Sequence, residues 1–205
     1  RYFNLQVDRS DVKAVWSGLR PLVSDPKATD TAKLARDHVI EDSPADLLTI
    51  AGGKWTTYRK MALDTVDHAF KLFNLAAPKP TCQTEKLPIM GSANYNEKGD
   101  LELISKYGFD PDIAAYLNRT YGDQADKVAE LTLGGYAARL VENHPVLEAE
   151  VLYAARYELA ERVIDVLARR MPLALLDTEA AKQAAPRVLE IMAEELGWDE
   201  QRCTE

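Results

Sequence analysis

The chain has 205 residues, of which 46% are apolar and 28% charged, and 33 acidic against 25 basic side chains leave a net charge of −8. That length holds one large domain or two small ones, and the acidic balance excludes the basic stripe that a nucleic-acid protein presents to phosphates. No apolar run approaches the ~20 residues that span a bilayer, and two distant cysteines, Cys82 and Cys203, suggest neither a disulfide framework nor a zinc site.

The opening "RYFNLQVDRSD" has no Met and no signal peptide, and reads as the interior of a longer protein. Residues 1–75 then read as three strands and a helix. "AVWSGLRPLV" (14–23) is an apolar run closed by the turn-rich "SDPKATD". "KLARDHVI" (33–40) alternates with a period of two, placing Leu34, Arg36, His38 and Ile40 on one side. "EDSPAD" is a loop with a Ser-Pro turn signal. "LLTIA" (47–51) is a short continuous apolar run, the pattern of a strand buried on both faces. A helix is expected from about Thr57 to Phe73, with Thr56 or Thr57 as N-cap and one packing stripe: Tyr58, Met61, Ala62, Thr65, Val66, Ala69, Phe70 and Phe73.

Residues 76–99 carry prolines and glycines without periodicity and read as a linker. From Asp100 the pattern is helical to the end, so residues 100–205 form a small bundle. Asp110 as N-cap, Pro111 at the first helical position and Gly122 beyond the end mark one helix. "DQADKVAELTLGGYAARLV", "PVLEAEVLYAARYELA", "ERVIDVLARR" and "TEAAKQAAPRVLEIMAEELG" supply the others. Pro186 should start or kink the last of them, and Gly197 should close it. The fold class is therefore α+β, strands and one helix, followed by an all-α domain.

The stretch "TIAGGKWTTYRK" (49–60) carries the chemistry. It is not a phosphate-binding P-loop: that motif needs glycine and Ser or Thr where this chain has Leu48 and Trp55. The chain also has no GxGxxG, so no complete dinucleotide-binding unit is present. What remains is a strand, a glycine pair and a helix start. Gly52 and Gly53 let a backbone approach a flat ligand, and the free N–H groups of the next turn add the positive end of a dipole. Lys54 adds a full charge. Such a place suits a group that is anionic or becomes so, for example the N1–C2=O edge of a flavin under reduction. The ordinary alternative is a tight turn with solvated cations.

Arg20 in "SGLRP" is held extended by Pro21 and lies in an apolar run. It needs a carboxylate or an anionic ligand, and its planar fork suits phosphate. Arg36 is more simply a solvated charge beside Asp37. His38 is on the Arg36 side of its strand, while His68 and His144 have no metal-ligand companion at useful spacing, so no metal site is expected. Arg and Glu in "YAARYE" and "VLARR" suit internal ion networks.

Together "WSGLRPLVSDP" (16–26), "RDHVI" (36–40), "LLTIAGGKWTTYRKMALDTVD" (47–67) and "LYAARYELAERVIDVLARR" (152–170) resemble the FAD-dependent, mitochondrial-type glycerol-3-phosphate dehydrogenases. The resemblance runs in order along nearly the whole chain and implies the carboxy-terminal part of such an enzyme. Residues 1–75 would end the FAD and substrate-binding domain, and residues 100–205 would be the cap domain. It implies hydride transfer from C2 of sn-glycerol 3-phosphate to flavin, giving dihydroxyacetone phosphate, with electrons passed to quinone. It assigns Arg20, Arg36 and Lys54 to substrate, and Gly52, Gly53, Lys54 and Thr56 to the cofactor. It assigns no catalytic residue with certainty to this stretch of chain. It further implies peripheral attachment to the mitochondrial inner membrane or the bacterial cytoplasmic membrane. With the amino-terminal fingerprint missing, these residues alone are expected to be inactive. Two other readings stay open, a helical interaction or assembly module and another flavin amine or amino-acid oxidoreductase.

Overall fold

Where the apolar residues cluster decides the architecture. The computed structural model describes residues 5–19, 23, 37–76 and 82–204, and these divide into two compact units, Ser17–Leu87 and a second made of Arg1–Trp16 with Pro88–Glu205.

In the first unit, strand β1 (His38–Asp42) pairs antiparallel with β2 (Leu48–Gly52), with His38 opposite Gly52 and Ile40 opposite Ile50. β1 runs two residues further than expected and takes in Glu41 and Asp42. The loop is correspondingly shorter, closed by the Ser43 N–H donating to Leu47 O at 2.9 Å, with Asp46 at φ 56°. A 3-10 turn (Trp55–Thr57) leads into helix α1 (Tyr58–Leu72). Thr57 is the N-cap by position only: its hydroxyl donates to Lys54 O at 3.0 Å rather than capping the helix. Of the expected stripe, Met61, Thr65, Ala69, Phe70 and Phe73 are half-buried, whereas Tyr58, Ala62 and Val66 are exposed.

Two expectations fail here. Residues 14–19 and 23, the described part of the supposed first strand, have no regular structure, and Leu19 is 100% exposed; residues 20–22 lie outside the described residues. A strand needs a partner for its N–H and C=O groups, and the two-stranded sheet offers these residues none. Nor is β2 buried on both faces; Thr49 and Ile50 are exposed because a single hairpin and one helix cannot cover two sides.

The second unit is helical. Its helices are α2 (Gly99–Tyr107), α3 (Pro111–Tyr121), α4 (Ala125–Leu131), α5 (Glu148–Tyr157), α6 (Val163–Asp165), α7 (Leu173–Leu176), α8 (Thr178–Leu196) and α9 (Glu200–Thr204). α6 runs directly into a π-turn, Val166–Arg170. One apolar cluster joins α2, α3, α4 and α5 through Leu103, Ile113, Leu117, Val128 and Tyr153. A second joins α5, the π-turn, α7 and α8 through Leu152, Val166, Met171, Leu173, Val188 and Met192. Residues 88–98 are fastened to this unit: the Asp123 N–H donates to Gly91 O at 2.9 Å, and the Asn118 amide to Asn96 O at 3.0 Å. At the other end, the Thr178 N–H that opens α8 donates to Lys13 O at 3.1 Å.

Helix ends follow the sequence signals with exceptions. Pro111 opens α3 and Gly197, at φ 65°, closes α8. Asp110 occupies the N-cap of α3 but makes no capping bond, because its carboxylate is taken by Arg139 at 2.9 Å. Pro186 does not start a helix; α8 begins at Thr178 and passes through it. The missing donor at Pro186 is outweighed by the burial of Ala180, Ala181, Ala184, Val188, Ile191 and Met192 along one face. The expected helix over 123–141 also stops early, because Gly135 takes φ 103° and the chain turns into an extended stretch where Arg139 bridges Leu147.

Candidate functional site: the strand-to-helix junction

The continuous β2–α1 segment fixes Gly52, Gly53, Lys54 and Thr56 together at one junction. Both glycines have positive φ, 76° and 74°, which other residues adopt only under strain. A Cβ on Gly53 would also lie 2.6 Å from Met61 Sδ and 3.3 Å from His38 Cβ; the end of the methionine can shift, so conformation more than packing selects glycine there. Lys54 follows in extended conformation, exposed, and without an ion-pair partner among the described residues. The Thr57 and Tyr58 N–H groups already donate to Lys54 O and Trp55 O; the N–H groups ahead of them have no side-chain cap, and neither the 3-10 turn nor α1 carries an acid in its first turn. The junction therefore presents uncompensated positive potential.

The other nearby cations are accounted for differently. Lys60 pairs with Asp64 one turn on at 2.6 Å, and with this ammonium as its main partner Asp64 is held below the usual carboxylate range. Trp55 stacks on Tyr58 with ring centroids 5.5 Å apart, and both rings are exposed. Arg20 and Arg36 lie outside the described residues.

The histidines, which the sequence gave little reason to notice, tie this unit together. His38 on β1 reaches Asp64 on α1 through Nε2 at 3.2 Å and Asp37 through Nδ1 at 3.0 Å. Asp42, four residues along β1, meets His68 Nε2, four residues along α1, at 2.7 Å. An i, i+4 spacing puts Asp64 and His68 on one helix face, and even spacing puts His38 and Asp42 on one strand face. That double coincidence was the signal available in the sequence. An open depression between the two elements is lined by His38, Ile40, Asp64, Asp67, His68 and Lys71. Among the described residues no cluster of three or more His, Cys, Asp or Glu is arranged to hold a metal ion.

In the helical unit the paired charges build structure. Arg156 meets Glu195 at 2.7 Å, Arg187 meets Glu148 at 2.7 Å, Arg139 spans Asp110 and Asp112, and the Arg170 guanidinium donates to Glu158 O. Glu150 is different. It is 0% exposed, accepts from the Leu147 N–H at 2.6 Å and the Tyr121 hydroxyl at 2.9 Å, and burial pushes its carboxyl up to about 7.

Comparison with known proteins places these features in context. Residues 82–203 match the model of a family described as the C-terminal domain of alpha-glycerophosphate oxidase. A mitochondrial glycerol-3-phosphate dehydrogenase of Arabidopsis thaliana is 43% identical over 98% of this chain and 34% of its own length. The mitochondrial glycerol-3-phosphate dehydrogenase of Mesocricetus auratus is 44% identical over 97% of this chain and 28% of its own. Among solved structures, the glycerol-3-phosphate dehydrogenase of Bacillus halodurans in complex with FAD superposes with a TM-score of 0.74 at 28% identity, covering 98% of this chain and 39% of that one. The chain thus spans about a third of the length of the curated relatives it matches.

Proposed function

The chain belongs to the family of the C-terminal domain of alpha-glycerophosphate oxidase, and on that premise we propose that it forms the carboxy-terminal part of an FAD-dependent glycerol-3-phosphate dehydrogenase. The observation that carries this reading is the junction itself: two left-handed glycines, an exposed lysine and an uncapped, acid-free helix start in immediate succession. Those groups fit the anionic edge of a flavin, since glycines allow close approach while Lys54 and the first-turn N–H groups supply positive potential where charge develops.

FAD, when bound, supplies the two-electron acceptor for the hydride leaving C2 of glycerol 3-phosphate, whose product is dihydroxyacetone phosphate, and electrons pass on to quinone. Gly52, Gly53, Lys54 and Thr56 hold the cofactor side. Arg20, with Arg36, holds the substrate phosphate, Pro21 fixing the backbone direction from which the guanidinium reaches. Lys54 stands at both groups. No residue of this chain is assigned as the base that takes the hydroxyl proton, and residues 1–205 alone are expected not to turn over. The relatives named mitochondrial support a mitochondrial location; the inner membrane there, or the cytoplasmic membrane in a bacterium, is part of the proposal and follows from the family resemblance. Peripheral attachment is likewise proposed from the resemblance; separately, no helix among the described residues is long and apolar enough to cross a membrane.

The test is Arg20→Ala in the full-length enzyme. Loss of charge-assisted hydrogen bonds to phosphate raises KM for glycerol 3-phosphate about ten- to a hundredfold while leaving KM for glycerol nearly unchanged. Equal effects on both substrates refute the phosphate role, and a full-length enzyme with no phosphate preference points to a different flavin oxidoreductase. A helical assembly module is a second reading, favoured by the self-contained core of the helical unit. Deleting residues 100–204 from the full-length protein separates the two: a lost partner with turnover intact supports the module.

A further inference from the structure

Among the described residues Lys54 has no hydrogen bond or ion pair that would aim its side chain, so its direction depends on the backbone beneath it. That backbone is fixed on one side by β-pairing, Gly52 lying opposite His38, and on the other by the Thr57 N–H and hydroxyl, which donate to Lys54 O at 2.9 and 3.0 Å. Both fixings are local. Neither sets the angle at which α1 leaves the hairpin, and two successive glycines are a hinge unless something spans them.

A side chain that spans them is His38. It starts on the strand residue paired with Gly52, passes beside Gly53, and ends on Asp64 in the body of α1 at 3.2 Å. Its side chain is only 10% exposed, and Lys60 holds Asp64 from the other side at 2.6 Å. Asp42 and His68 repeat the contact with the residue types exchanged, at the end of α1 away from the glycines and in a wetter setting. We propose that His38 and Asp64 form a latch that fixes α1 on β1 across the Gly52–Gly53 hinge, making His38 a positioning residue for Lys54 in the flavin site. The Asp42–His68 rung serves stability alone. This inference rests on the reading of the junction as a flavin contact.

The experiment uses the full-length, FAD-loaded enzyme and its affinity for sulfite, read as bleaching of the flavin absorbance. Sulfite adds to the ring as an anion and so reports positive potential there. His38→Ala weakens sulfite about tenfold and lowers kcat by a similar factor, with KM for glycerol 3-phosphate within about twofold. His38→Gln, whose amide nitrogen reaches where Nε2 stood, restores both; His38→Asn, too short for Asp64, does not. Hydrogen exchange of the amides of residues 52–57 speeds up in His38→Ala and not in His68→Ala. If Lys54→Ala leaves sulfite affinity unchanged, the flavin reading fails and the latch falls with it. If Lys54→Ala weakens sulfite while His38→Ala, folded, leaves affinity and exchange as in the parent, the latch alone is wrong.

Discussion

The two compact units bury their residues very unequally. Every fully buried residue among those described lies between Leu103 and Met192, in the helical unit, whereas the hairpin and α1 contain none. The helical unit finishes its own core. The hairpin unit leaves Leu47, Ile50, Trp55 and Val66 exposed in the unit that holds the proposed flavin contacts. This is the arrangement expected where a site is completed by a ligand or by further protein, because an interior surface left without its cover reads as exposed apolar residues beside unspent charge. The buried core and the proposed site are thus divided along the chain.

The sharpest way to break that division is a matched pair of truncations. Leu117→Ala removes a fully buried side chain from the helical core and costs about 2–5 kcal/mol in urea unfolding; Ile50→Ala, on the open face of the hairpin, costs less than ~1 kcal/mol in this chain. Equal costs would mean that the hairpin has a core of its own. A somewhat smaller effect comes from Glu150. Its folded-state pKa lies above the ordinary carboxyl value, so the folded state binds the proton more tightly than the unfolded one. The stability this contributes is fully present below pH ~4.5 and is lost as pH rises through about 7, on the order of 3 kcal/mol over that window. The groups acting on it are the Leu147 N–H, Tyr116 and Tyr121 on α3, and Glu158, whose carboxyl burial raises as well. Asp112, Asp126 and Glu195, held low by hydrogen bonds from Arg139, Lys106 and Arg156, act oppositely and withdraw stability at more acid pH. Glu150→Gln is therefore expected to flatten the fall in Tm between pH 5 and pH 8, and a slope equal to that of the parent would exclude Glu150 as its source. Smaller again is Arg139→Ala. Its carboxylate partners are largely exposed, so screening limits the loss to about 1 kcal/mol, measured by the same unfolding.

Legibility in the sequence followed the same division. Local patterns were readable in both units: alternation found β1, the apolar run found β2, and Asp110-Pro111 and Gly197 marked helix ends. The glycine pair and Lys54 stood out because their residue types are wrong for an ordinary helix start. What the sequence hid was always a matter of partners. "LLTIA" was composed like a buried strand, but burial depends on neighbours that no window contains. Asp110 was positioned as a cap, yet Arg139, distant in sequence, claimed its carboxylate. Glu150 belonged to an apparently ordinary helix until α3 brought Tyr121 to it. His38 could be placed on the Arg36 side of its strand, but only the crossing of α1 over β1 gives it Asp64.

The account stands on positive potential at the junction being directed at a flavin and a phosphate together. A crystal structure of the full-length enzyme with FAD and glycerol 3-phosphate measures this most directly. The account predicts the Lys54 ammonium and the first-turn N–H groups after it within about 3 Å of the flavin or the substrate, with the Arg20 guanidinium forked on the phosphate. Lys54 turned to solvent, or Arg20 paired with a protein carboxylate while the phosphate sits elsewhere, would contradict it.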